Sequence, residues 1–145
     1  MGTVDYKAFS ILIVRLILTG VFVMAALPKI QDPVAFANSV VAFRIIDSGL
    51  SSWVALLLPW LELVLGLGML MPFIRQTSCA LIGLLLLIFI GLHISAWVRG
   101  LDLSCGCFGT AADAAASDYR WLILRNVLLL GMALLLLTHK HSNQQ

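Results

Sequence analysis

Four stretches of about twenty mostly apolar residues, at 9–27, 52–71, 77–98 and 121–138, decide most of what this chain can fold into. At ~1.5 Å of helix rise per residue, each is long enough to cross a ~30 Å hydrocarbon core. Backbone groups inside lipid must satisfy one another, so each stretch is expected to be a helix. The chain therefore reads as one all-α membrane domain over residues 1–145, an antiparallel bundle of four transmembrane helices with both termini on one side. Its first partner is the lipid bilayer. Hydrophobic residues make up 61% of the chain and charged residues 11%, a balance foreign to a soluble globular domain. A net charge of +2 with no basic run gives nucleic acid nothing to bind, and no such partner is expected. The first apolar run is longer than the core of a signal peptide and carries Arg15, so it reads as a retained span.

The connections differ in kind. "PFIRQT" between the second and third spans is short enough only for antiparallel neighbours. In "DPVAFANSVVAFRI", Asp32 can cap a helix and Pro33 can take its first position, with Phe36, Val40 and Phe43 following at helical spacing. This reads as a short helix lying along the interface or folded over the bundle; a plain linker helix is the simpler alternative. The third connection, 99–119, holds "LSCGCFG" and the polar run "TAADAAASD". Trp53, Trp97, Tyr119 and Trp121 gather at the ends facing the first and third connections, as an aromatic belt would. Lys7, Arg75 and Lys140 flank one side and Lys29, Arg44, Arg99 and Arg120 the other, so positive charge does not decide orientation.

Each span carries one ionisable residue: Arg15, Glu62, His93 and Arg125. A charge at membrane depth costs at least ~2.5–3.5 kcal/mol on insertion scales, so such groups face the bundle interior and pair. An Arg15–Glu62 pair between the first two spans is the expected arrangement, as a functional site or as structural glue. Pro59, one turn before Glu62, removes a backbone donor and can open a kink or pocket. His93 and Arg125 lie about one turn inside the cysteine-facing end, within reach of the bundle mouth. Their simpler readings are an interhelical hydrogen bond for His93 and snorkelling for Arg125. Gly20, Gly66, Gly68, Gly83 and Gly91 read as close-packing positions. Such small-residue faces permit a homo-oligomer without requiring one.

Cys105 and Cys107 flank only Gly106, which leaves room for a sharp bend that brings the sulfurs together. A disulfide across so short a loop departs from relaxed geometry and is easily reduced, which suits exchange with another dithiol better than stapling a fold. Arg99 and Arg125 nearby would favour the thiolate. Two readings compete: two thiolates with His93 as ligands for a soft ion such as copper, zinc or mercury, or idle thiols in a turn. The four-ligand set and C-x₂₋₄-C spacing of structural zinc are missing. Cys79 lies a bilayer thickness away and reads as a buried small residue.

"ALPKIQDPVAFANSVVAFRI", "LPWLELVLGLGMLM" and "LSCGCFG" together resemble the MauE branch of the DoxX-like membrane family over nearly the whole chain. Its most specific parts are the Pro-x-x-Glu stretch at Pro59 and Glu62 and the Cys-Gly-Cys-Phe-Gly stretch at 105–109, and Lys29 matches the lysine closing the family's first helix. The resemblance implies maturation of a periplasmic, disulfide-rich methylamine dehydrogenase subunit beside a thioredoxin-like partner; other DoxX-like proteins imply quinone-coupled sulfur oxidation. The functional expectation is a thiol–disulfide relay in the bacterial inner membrane. Cys105 and Cys107 would exchange electrons with a periplasmic thioredoxin-like or disulfide-containing protein, and a quinone among the helices near Arg15, Glu62 and His93 would reoxidise them. His93 and Glu62 would handle protons, and Arg125 or Arg15 would stabilise negative charge. Disulfide chemistry places the loop in the periplasm. The alternatives are soft-metal binding or transport, and a non-enzymatic scaffold for the partner.

Overall fold

A computed structural model of the protein describes residues 6–45, 47–100 and 119–142. They form α1 (Tyr6–Gln31), α2 (Pro33–Ala42), α3 (Ser48–Gly68), α4 (Arg75–Val98) and α5 (Tyr119–Ser142), with no strand among the described residues. Four helical segments, Phe9–Gln31, Gly49–Gly68, Arg75–Val98 and Arg120–Thr138, are long and apolar enough to span a membrane. The all-helical architecture and the short helix after the first span are as the sequence leads one to expect.

The first helix does not stop before Pro28. A proline inside a helix loses its own N–H, but its carbonyl still accepts. The Asp32 amide donates to the Pro28 carbonyl at 3.1 Å, so helical geometry carries on to Gln31. That extra turn places Lys29 on the bundle rather than in the connection. Its charge also sits at the helix C-terminus, where the backbone dipole favours a cation.

α2 starts as its sequence dictates. Asp32 Oδ1 accepts from the Ala35 amide at 2.9 Å, and Pro33 occupies the first helical position. After its last turn Arg44 takes a left-handed φ of 52°, a conformation that costs a non-glycine residue ~1–2 kcal/mol. α4 ends the same way with Gly100 at φ 60°, the residue best suited to it. The Arg99 guanidinium joins the two ends, donating to the carbonyls of Phe43 at 3.0 Å and Arg44 at 3.5 Å. These are acceptors that a terminating helix leaves without an intrahelical donor.

The spans pack as two close pairs, α1 with α3 and α4 with α5, and sparser contacts of α3 with α4 and α1 with α5 complete the ring. α2 lies against α3. Gly66 permits the first close approach, because a methyl group there would stand 3.2 Å from Phe22 Cβ. Leu18, Phe22, Leu65, Met69, Ile82, Leu86 and Leu129 form the shared apolar core. Leu16, Leu57, Val64, Leu87 and Leu128 point outward, where acyl chains replace protein as their packing partners.

Candidate functional site

Side chains on a helix lean toward that helix's N-terminus. α1 and α3 run antiparallel, so Lys29 near the end of α1 leans into the bundle while Glu62 on α3 leans to meet it. Lys29 Nζ donates to both Glu62 carboxylate oxygens at 2.8 Å. The residues are 2% and 1% exposed, so both charges have left solvent. Desolvating an ion costs several kcal/mol, which a pair offsets only through short, multiple bonds. Here the ammonium also faces the rings of Phe36 on α2 at 5.0 Å and Phe89 on α4 at 5.5 Å. Cation–π contacts of this kind contribute ~0.5–2 kcal/mol. Four helices thus converge on one positive charge.

The expected Arg15–Glu62 pair is not formed, and helix register explains why. Gly66 lies against Thr19, Phe22 and Val23, so Glu62, one turn earlier in α3, is level with α1 residues about one turn later. Arg15 is then more than two turns away and leans in the opposite direction. Lys29 is about one turn away and leans inward.

The second helix pair supplies the facing wall. His93 and Asn126 are each 4% exposed, and with the half-buried Arg125 they line a cleft shared with Lys29, Glu62 and Phe89. His93 Nδ1 donates to the Phe89 carbonyl, which leaves Nε2 as the acceptor of the neutral ring. The edge of that ring packs on Phe43, with centroids 6.1 Å apart and planes at 79°. α2 therefore contributes at both ends, Phe36 to Lys29 and Phe43 to His93. Pro59 is buried and takes no part in the lining.

The structure thus brings Glu62, His93 and Arg125 together and places Arg15 elsewhere. Lys29 and Asn126 are members of the site that sequence reasoning missed. From the sequence Lys29 reads as a flanking charge and, through the family resemblance, as the lysine closing the first helix, but not as the partner of Glu62. The signal for Asn126 was a neutral amide in an apolar span next to Arg125. Cys105 and Cys107 lie outside the described residues. Their segment joins Val98 to Tyr119, and His93 and Arg125 stand one to two turns inside those two helix ends. Cys79 is buried, and its thiol donates to the Ala133 carbonyl at 3.2 Å, a packing position at the other end of the molecule. Among the described residues no group of three His, Cys, Asp or Glu side chains is placed to hold a metal ion, so a soft-metal site would need the loop cysteines.

The void in the cleft is about 40 Å³. An apolar cavity of ~150 Å³ takes benzene, so the enclosed space here is of water size and smaller than a quinone ring. Arg15, one of the three residues expected to hold a quinone, is also at the opposite end. The described residues enclose no space for that ring.

A family described as methylamine utilisation protein MauE matches residues 7–139. The methylamine utilization protein MauE of Paracoccus denitrificans is 32% identical over 126 residues, which is 86% of this chain and 66% of the relative. The MauE protein of Methylorubrum extorquens is 33% identical over 112 residues, 77% of this chain and 59% of the relative. That of Methylophilus methylotrophus is 28% identical over 127 residues, 87% of this chain and 64% of the relative. The chain thus spans slightly less than two thirds of the length of these relatives. No solved structure matches it.

Proposed function

The chain belongs to the MauE family, and from that membership we propose that it is a membrane thiol–disulfide exchange protein that serves the maturation of a disulfide-bearing periplasmic partner. The names of its relatives make methylamine utilisation the setting. The observation that carries the reading is the convergence of Lys29, Glu62, His93, Arg125 and Asn126 on a water-sized cleft, in the half of the bundle whose helix ends the Cys105–Gly106–Cys107 segment joins.

The chemistry is two exchanges. A thiolate of the partner attacks one sulfur of the Cys105–Cys107 disulfide, the S–S bond breaks, and the released thiolate takes up a proton. The second partner thiol loses its proton and attacks the mixed disulfide. The partner leaves as a disulfide, and the loop retains two thiols with the two electrons and two protons. Reoxidation is the reverse exchange against the disulfide of a thioredoxin-like protein, which leaves as a dithiol. His93 is the proton donor and acceptor, working through water in the cleft, and Arg125 favours the thiolate. Glu62 is a positioning residue: clamped by Lys29, it keeps a polar, hydrated wall opposite His93. An oxidising compartment is required, so the loop faces the periplasm from the inner membrane.

Intact cells treated with a membrane-impermeant maleimide test compartment and chemistry together. Cys105 and Cys107 should resist labelling until a reductant is added and then take up two labels. Cys105→Ser should accumulate a mixed disulfide through Cys107. Cysteines that are always reduced and reachable only after lysis would sink the reading, as would a Cys105→Ser protein that supports partner oxidation at the normal rate.

A further inference from the structure

A second polar cluster sits at the opposite end of the bundle, and the exchange chemistry does not use it. Arg15 and Thr19 are four residues apart on one face of α1. Arg15 Nε and Thr19 Oγ1 are both shut off from solvent, and neither has a hydrogen-bond partner in the structure. Thr19 as a whole is 8% exposed. Arg75, the first residue of α4, is half-buried and close enough for its charge to act on the Arg15 guanidinium. Ser78, one turn on, is 3% exposed.

A buried Arg15 Nε with no acceptor, near a second guanidinium, is a setting that an anion completes, and the described residues do not supply one. The described acids are Asp32, Asp47 and Glu62. Asp32 and Asp47 stand at the starts of α2 and α3, at the far end of the bundle, and both oxygens of Glu62 are taken by Lys29. Arg15 begins about 9 Å along the axis from Phe9, where its span starts, and its side chain leans back toward that boundary. This is the depth at which a long side chain meets headgroups. Guanidinium forks bind phosphate through paired, charge-assisted bonds, and basic pockets between spans at this level take acidic lipid headgroups. We propose that Arg15 and Arg75 together hold the phosphate group of an anionic phospholipid at this end of the bundle, where Thr19 lies level with Gly66 of α3 and Ser78 with Gly68, two residues on.

The test is native mass spectrometry of the full-length protein in a neutral detergent, with phosphatidylglycerol, phosphatidylcholine or inorganic phosphate added separately. One phosphatidylglycerol should be retained at a concentration about tenfold lower than phosphatidylcholine requires, the ratio that one charge-assisted bond supplies. Arg75→Gln, at a half-exposed helix start where folding is safe, should lower that retention about tenfold, with helix content checked by circular dichroism. Arg75→Lys should fall between, because it keeps the charge and loses the fork. Equal retention of the two lipids, or an Arg75→Gln protein that binds like the unaltered chain, overturns the proposal. Tighter binding of inorganic phosphate than of phosphatidylglycerol overturns the lipid as its source.

Discussion

A double-mutant cycle on Lys29 and Glu62 tests the centre of the fold and the site at once. Lys29→Met leaves the Glu62 carboxylate in a position 1% exposed with both former bonds gone. Breaking a buried pair from one side costs ~3–5 kcal/mol. Glu62→Leu strands the ammonium instead, but the rings of Phe36 and Phe89 stay within 5.5 Å, so its cost belongs at the lower end of that range. The double variant replaces both charges by apolar groups of similar volume, an exchange that is near neutral or stabilising elsewhere. It should therefore be within ~1 kcal/mol of the parent, giving a coupling of at least ~3 kcal/mol. The assay is reversible unfolding in mixed micelles by titration with sodium dodecyl sulfate, followed by helical circular dichroism. A parallel cycle of Arg15→Met with Glu62→Leu should be additive to within ~0.5 kcal/mol, because the two residues do not meet. A double variant that loses the full sum of its singles would refute the ion pair. The same folded double variant also separates glue from function: it should exchange disulfides slowly, because the cleft has lost its hydrated wall.

Three further outcomes follow from the packing and the helix ends. Gly66→Ala places a methyl group 3.2 Å from Phe22 Cβ and should cost ~1–3 kcal/mol in the same unfolding assay, whereas Gly83→Ala, with its nearest neighbour at 3.9 Å, should be neutral or stabilising. Arg44→Gly relieves the left-handed φ of 52° and should raise stability by up to ~1 kcal/mol; a loss instead would mean that the Arg44 side chain contributes more than its backbone strain costs. Asp32→Ala removes the bond to the Ala35 amide and should lower stability by ~1 kcal/mol, with hydrogen exchange accelerating first in α2.

The spans were legible because length and apolarity are the only requirements that lipid imposes, and α2 because Asp32–Pro33 is a start signal that acts locally. The end of α1 was not, since Pro28 removes one i→i−4 donor but leaves its own carbonyl to accept from Asp32, so the helix continues past it. The charges followed the same division. That Glu62, His93 and Arg125 turn inward follows from the cost of charge in lipid. Which cation meets Glu62 depends on the register between α1 and α3, set where Gly66 touches Thr19 and Phe22, and on the direction in which each side chain leans. Both are properties of two helices in contact, and neither is written in the composition of one.

The same geometry argues about direction. The cleft has an apolar floor, for Phe22, Leu86 and Leu129 line it and also belong to the packed core of the bundle. Below them Leu18, Met69 and Ile82 are each fully buried, so water entering among His93, Glu62 and Arg125 meets close-packed hydrocarbon before it reaches the level of Arg15. A carrier for a soft metal ion needs polar groups in succession across the membrane, or a floor that opens. A thiol–disulfide protein needs neither, because its electrons and protons enter and leave with partners on one face. A single-sided cleft below the helix ends that the cysteine segment joins is therefore compatible with the proposed exchange chemistry, and it is a poor starting point for transport.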